Sequence, residues 1–214
     1  MYSTGAMGYP LEYFNPNHFV RWSSLSGSIE VTDILNYVKS RRTSANGCFG
    51  FKAHFSDFAA AISAYPFDAI FPGCRFILID RDDLLGQAIS LVRARQTNQW
   101  ISVHERQREA TYSFEEISRA MIYLLEEKAS WLRFFALTGR KFLRVTYESL
   151  LTEPAKAIQD IGHYLDLSPV EIHGERVLPQ KQADQETDCW RDQFLRETAE
   201  LSVGHACKRL CLTE

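Results

Sequence analysis

A guanidinium at the end of an apolar run is the first group in this chain placed for chemistry. Arg81 follows Phe76-Ile-Leu-Ile-Asp80, and its forked, permanently charged head can grip an oxyanion. Ser90, nine residues later, can offer a hydroxyl to the same anion. Arg81 can equally do no more than pair with Asp80, Asp82 or Asp83 at a helix start. Upstream, Glu12 is a lone carboxylate among Leu11, Tyr13 and Phe14. Partly desolvated there, it would carry a raised pKa and serve as a general base; as a helix-start or surface acid it would do neither. Lys52 and His54 flank Ala53, so on a strand they share one face and reach toward the edge that holds Arg81. The plain alternative is a lysine lying along the surface and a histidine satisfied by its neighbours. Trp100 closes the amide-rich stretch Gln96-Thr-Asn98-Gln99. Its indole face can stack on a sugar ring while the amides bond hydroxyls, or the ring can pack as a lid on the core.

Such groups need elements to hold them. Phe76 to Ile79 is continuously apolar, which suits a strand buried on both faces of a parallel sheet. Leu84, Leu85, Ala88, Ile89 and Val92 then recur at helical spacing, so a helix is expected over 83–95. In an open α/β sheet the carboxyl end of a strand and the start of the next helix form the ligand-binding edge, and Arg81 falls there. Upstream, 23–28 reads as a polar loop and Ile29 to Val38 as a short helix. Asn46-Gly47 marks a turn into a strand ending near Lys52, a short helix follows over 56–65 before Pro66, and 67–73 reads as a turn-rich link. Phe114 to Phe135 is the longest helical stretch, with Ile117, Met121, Leu124, Trp131 and Phe135 on its apolar stripe. Gly139 ends it, residues 141–148 read as a strand, and Pro154 opens a helix that turns Ala157, Ile158, Ile161 and Leu165 inward. Residues 179–190 are polar with Trp190 as an aromatic anchor, a loop that folds over a ligand or simply lies exposed.

The 214 residues suit a single α/β domain, 1–214. A net charge of −3 gives no global basic field, so nucleic acid is not an expected partner and any anion site must be local. No apolar run spans a bilayer and no signal peptide is visible, so no membrane is expected. Five scattered cysteines without a CxxC pair point to reduced thiols in a cytoplasmic setting. Cys207, Cys211 and His205 make three ligands with no fourth, a poor metal site; no metal is expected.

Several stretches together resemble one family, the PAPS-dependent sulfotransferases of the bacterial trehalose 2-sulfotransferase type. They are Thr4-Gly5-Ala-Met-Gly8-Tyr-Pro10-Leu-Glu12-Tyr-Phe14, Phe49-Gly50-Phe51-Lys52, Asp80-Arg81-Asp82-Asp83 with Gln87-Ala88-Ile89-Ser90, and Arg93-Ala94-Arg95-Gln96-Thr97 up to Trp100. Trp131 to Phe135 and the tail Lys181-Gln182-Ala183-Asp184-Gln185 with Asp188 and Trp190 complete the pattern. The combination Arg-x-Asp-x-x-x-Gln-Ala-x-Ser plus the tail carries most of its specificity. The resemblance implies a three-layer, P-loop NTPase-like parallel sheet flanked by helices. It also implies transfer of a sulfuryl group from PAPS to a carbohydrate hydroxyl, with no metal. By the same resemblance Arg81 and Ser90 hold the donor's 3′-phosphate, with Lys181 a further donor contact, and Glu12 is the base. Lys52-Ala-His54 resembles the Lys-x-His of eukaryotic sulfotransferases, which makes His54 the second choice for the base. Lys52, Arg93 and Trp100 are then the expected substrate contacts.

Members of that family begin with a strand and a Gly/Ser/Thr-rich loop that cradles the 5′-phosphosulfate, and no SxRSGST-like stretch occurs here. The expectation is therefore a sheet without its first strand and phosphate loop, from a start codon placed too late or a truncated copy. An edge so opened would allow a homodimer. The rival readings are a non-catalytic sulfotransferase remnant and a P-loop kinase-like phosphoryl transferase. The second needs a Walker-type lysine loop and magnesium carboxylates, and the sequence offers neither.

Overall fold

In the computed structural model, which describes residues 4–64, 67–100, 107–167, 169–171 and 185–200, the apolar run forms β1 (Phe76–Asp80). Phe142–Thr146 forms β2. The two pair in parallel, Phe76 opposite Phe142 and Asp80 opposite Thr146. Parallel neighbours require a crossover, and the chain between them carries α5 (Leu84–Thr97) and α6 (Phe114–Thr138). Helices α1 (Pro16–Ser26), α2 (Val31–Arg42), α3 (Phe55–Ala64) and α4 (Phe67–Ile70) precede β1; α7 (Tyr147–Thr152), α8 (Pro154–Tyr164) and α9 (Gln185–Glu200) follow β2. The chain is α/β, and among the described residues its sheet has two strands. None of the described helices is long and apolar enough to cross a membrane.

The chain divides into two compact units: Met1–Asp80 with Ser130–Pro179, and Arg81–Ala129 with Gln180–Glu214. The first holds the sheet. Side chains alternate across a strand, so Phe76 and Phe142 join Phe58, Trp131, Phe134 and Phe135 on one side. Ile77, Leu143 and Val145 meet Ala157, Ile158 and Ile161 of α8 on the other. The aromatic side is dense: the rings of Phe135 and Phe142 stack at 4.3 Å and those of Phe58 and Trp131 lie 4.8 Å apart. The burial expected on both faces of β1 holds through Asp80 on the face of Phe76 and Leu78 and fails on the other at Ile79, which is 50% exposed. In the second unit Ala88, Ile89 and Val92 of α5 pack with Ile117 and Ala120 of α6 and with Trp190 and Phe194 of α9.

Several expected elements differ. The stretch read as a polar loop at 23–28 belongs largely to α1, which starts at Pro16 and is held by Trp22, buried with Tyr13, Ile34 and Val38. The strand expected to end near Lys52 is irregular backbone: Gly47 and Cys48 bond within their own turn, and the Lys52 N–H bonds to the Leu11 carbonyl, itself in irregular backbone. The link at 67–73 opens with the short helix α4. Residues 185–190, read as loop, are the first turns of α9, and the aromatic anchor Trp190 is buried there.

Candidate functional site

Glu12 is positioned by two segments that lie side by side within the first unit. Gly8 has φ +68°, and a Cβ on it would stand 2.7 Å from the Gly50 nitrogen and 3.1 Å from the Cys48 carbonyl oxygen. Only glycine allows that approach. The Gly8 N–H donates to Ser44 Oγ at 2.6 Å, Asn46 Nδ2 donates to the Ala6 carbonyl at 2.9 Å, and the Lys52 N–H donates to the Leu11 carbonyl at 3.1 Å. These bonds fix residues 6–11 against 44–52 and bring the next side chains together. Lys52 Nζ lies 3.0 Å from Glu12 Oε1, the lysine 59% exposed and the glutamate 23%. His18, from α1, places Nδ1 3.1 Å from the Glu12 carbonyl oxygen. His54 is exposed two residues beyond Lys52.

The electrostatics of Glu12 reverse one expectation. Burial pushes its pKa up, but the Lys52 hydrogen bond and the charges of Lys52, His54 and His18 outweigh it. The carboxyl is held below its ordinary value instead of above it, because an opposite charge in contact favours the ionised form. It is therefore a carboxylate at neutral pH, competent to accept a proton but less basic than a desolvated acid would be.

In the second unit the residues around Arg81 are organised by the start of α5. Asp83 caps the helix, accepting from the Gly86 N–H at 2.9 Å, and it pairs with Arg191 of α9. Burial alone would raise the Asp83 pKa, yet the Arg191 hydrogen bond, the Gly86 N–H and the charges of Arg191 and Arg81 hold it down. Arg81 thus has Asp83 within its electrostatic reach, one of the pairings left open above. A group whose folded pKa is depressed adds stability that is fully present above its unfolded value and is lost as pH falls through the folded one. The stability difference between wild type and Asp83→Asn should therefore be constant near neutrality and close on acidification below about pH 4. Urea unfolding at a series of pH values measures it, and a gap that persists in acid would contradict the pairing.

Ser90 Oγ donates to the Gly86 carbonyl at 2.8 Å, the back-bonding common for serine inside helices. Arg93 is buried and faces α9, with Glu186 Oε2 at 2.6 Å and a hydrogen bond to Thr187 Oγ1. Trp100 is not a lid on the core: it is 55% exposed, and its Nε1 donates to Asn98 Oδ1 at 3.2 Å. Asn98, at φ 56°, closes α5. Lys181 lies outside the described residues, as do Cys207, Cys211 and His205.

The structure brings Glu12, Lys52 and His54 together in one unit, and sets Arg81, Ser90, Arg93 and Trp100 at or along α5 in the other. Two partnerships escaped sequence reasoning. Asp80, buried at the end of β1, accepts from Arg144 of β2, with Nε at 2.9 Å and Nη2 at 2.7 Å from Oδ2. The clamp of α9 on α5 through Arg93 and Arg191 is the other. Thr187, Trp190 and Phe194 are all buried, and their i, i+3, i+7 spacing was the signal for that helix.

The model of the Stf0 sulphotransferase family matches residues 1–197. The trehalose 2-sulfotransferase of Mycobacterium tuberculosis (strain ATCC 35801 / TMC 107 / Erdman) is 26% identical over 134 residues, 60% of this chain and 48% of that protein. The chain thus spans about half the length of the curated relative it matches.

Proposed function

Because the chain belongs to the Stf0 sulphotransferase family, we propose that it serves transfer of a sulfuryl group from PAPS to a carbohydrate hydroxyl, with Glu12 as the general base. The observation that carries this reading is the Glu12 site: an ionised carboxylate, partly withdrawn from water, with Lys52 in contact and the charges of His54 and His18 nearby. A carboxylate so held can take the proton of an acceptor hydroxyl. The Lys52 ammonium in contact with it suits an anionic donor and the negative charge of a sulfuryl group in flight. His54, if protons are removed by imidazole instead, is the alternative base. In the reaction the hydroxyl oxygen forms a bond to sulfur, its proton passes to Glu12, and the bond from sulfur to the 5′-phosphate oxygen breaks, releasing PAP. PAPS supplies the activated sulfuryl group when bound.

Arg81 is assigned to the donor's 3′-phosphate. It stands directly after β1, the place where open α/β sheets bind ligands. Ser90 joins it only if its hydroxyl proton turns from the Gly86 carbonyl to the phosphate, a low-cost rotation. Lys181 is assigned a further donor contact, and Lys52 and Trp100 acceptor or sulfuryl contacts; the exposed indole is available for stacking on a sugar ring. Arg93, with its guanidinium on Glu186 and Thr187, serves this reading as the residue that seats α9. The reading includes a three-layer, P-loop NTPase-like arrangement over one domain, 1–214, acting in the cytoplasm; β1, β2 and their flanking helices are its described part.

Calorimetric titration with PAP tests the donor site. Arg81→Ala should weaken binding by about 2–3 kcal/mol, the loss of a charge-assisted contact. An unchanged affinity removes Arg81 from the site. Incubation with PAPS and a panel of mono- and disaccharides, read by mass spectrometry, tests the acceptor class.

A further inference from the structure

Nothing in the family assignment gives Lys52 its partner, and the geometry around it suggests a function beyond substrate contact. Its backbone is fixed by the bond to the Leu11 carbonyl, while its head group is 59% exposed on a flexible four-carbon stem. An ion pair so open to water is weak and exchangeable. The groups that act on the Glu12 carboxylate are Lys52 and His54 from the segment after Gly50 and His18 from α1, and of these Lys52 is the one in direct contact.

We propose that Lys52 is an anion-sensitive latch on Glu12: it holds the carboxylate in the protein alone and moves to the sulfuryl oxygens of the donor when these arrive, freeing the carboxylate for the acceptor hydroxyl. The inference rests on the sulfotransferase reading above. The chemistry requires the competition, because the attacking oxygen must lie about 3–3.5 Å from sulfur and about 2.6–3.2 Å from its base, which brings the sulfuryl oxygens within roughly 6 Å of Glu12. That is inside the sweep of the lysine stem. Three negatively polarised oxygens then compete with one carboxylate for the same ammonium. Once Lys52 leaves, the largest of the influences that lower the Glu12 pKa is gone, and the carboxylate becomes a stronger base when the donor is in place. With the latch closed, the carboxylate is a weaker base than when the donor is in place.

The test is a pH titration of Glu12 by carboxyl ¹³C NMR on glutamate-labelled protein, the resonance assigned by its loss in Glu12→Gln. In wild type Glu12 should titrate below the ordinary glutamate range, in Lys52→Gln higher than in wild type, and in Lys52→Arg below that range again. Saturating PAPS without acceptor should move the wild-type titration upward, and by more than it moves that of Lys52→Gln. Lys52 is exposed, so neither variant should disturb folding, and thermal unfolding checks this. Equal titration of Glu12 in wild type and Lys52→Gln, or an equal PAPS-induced rise in both, overturns the latch. If PAPS binds by calorimetry yet leaves the wild-type titration unmoved, the latch is wrong and the sulfotransferase reading survives. If PAPS gives no binding, the reading itself fails and the latch goes with it.

Discussion

Glu12→Gln should lower kcat for sulfuryl transfer by about 10²–10⁴-fold, the usual contribution of a positioned general base, with PAPS affinity little changed. The amide keeps the size of the side chain and an oxygen for Lys52, so the segment pairing through Ser44, Asn46 and Lys52 N–H is undisturbed. What it loses is the ability to take a proton. A wild-type kcat in this variant would reassign the role, and His54→Gln is then the next variant to assay. If both substitutions leave kcat intact, the base lies elsewhere in the chain. Loss of kcat with donor affinity preserved separates a base from a donor contact, for which Kd would move instead.

The second large effect concerns stability. Arg93→Met should destabilise the second unit by about 2–3 kcal/mol, the loss of charge-assisted hydrogen bonds from a buried guanidinium to a partly exposed carboxylate. Glu186 would be left beside α5 without its guanidinium, and Thr187 would lose a donor. Urea unfolding reports the loss, and hydrogen exchange should show it first in the amides of α9. If Arg93 were instead a substrate contact, stability would hold and KM would rise. The two outcomes are distinct, so one variant decides between the role suggested by resemblance and the role suggested by geometry.

The parts of the fold that could be read from the sequence were those with a local period. The change from the apolar run at Phe76 to the i, i+3, i+4 spacing of Leu85, Ala88 and Ile89 marked both β1 and α5, and with them the place of Arg81. The stripe from Ile117 to Phe135 marked α6, and Gly139 marked its end at φ 65°. Other elements were hidden by composition. Ser23, Ser24 and Ser26 made the end of α1 look like loop, although Phe19 and Trp22 supply its apolar contact. The first turns of α9 are Gln, Glu, Thr and Asp, whose helix is held by side chains of α5 that no local window contains. The site was legible in its residue types and illegible in its pairing. Glu12 and Lys52 are forty residues apart, and their contact depends on the close approach of Gly8 to Gly50. The sign of the Glu12 pKa shift followed from that partner, so reasoning from aromatic neighbours alone gave burial without the charge that outweighs it.

The parallel pairing of β1 with β2 also governs how the chain must assemble. Phe76 meets Phe142, so the first contact of the ladder closes a loop of 66 residues. At ribosomal rates of about 5–20 residues per second, β1 waits roughly 3–13 s for its partner. The intervening helices emerge first, and their short-range contacts give them a kinetic advantage over the sheet. Until β2 emerges, the nascent strand Phe-Ile-Leu-Ile waits without the partner it has among the described residues, an apolar edge open to wrong pairing.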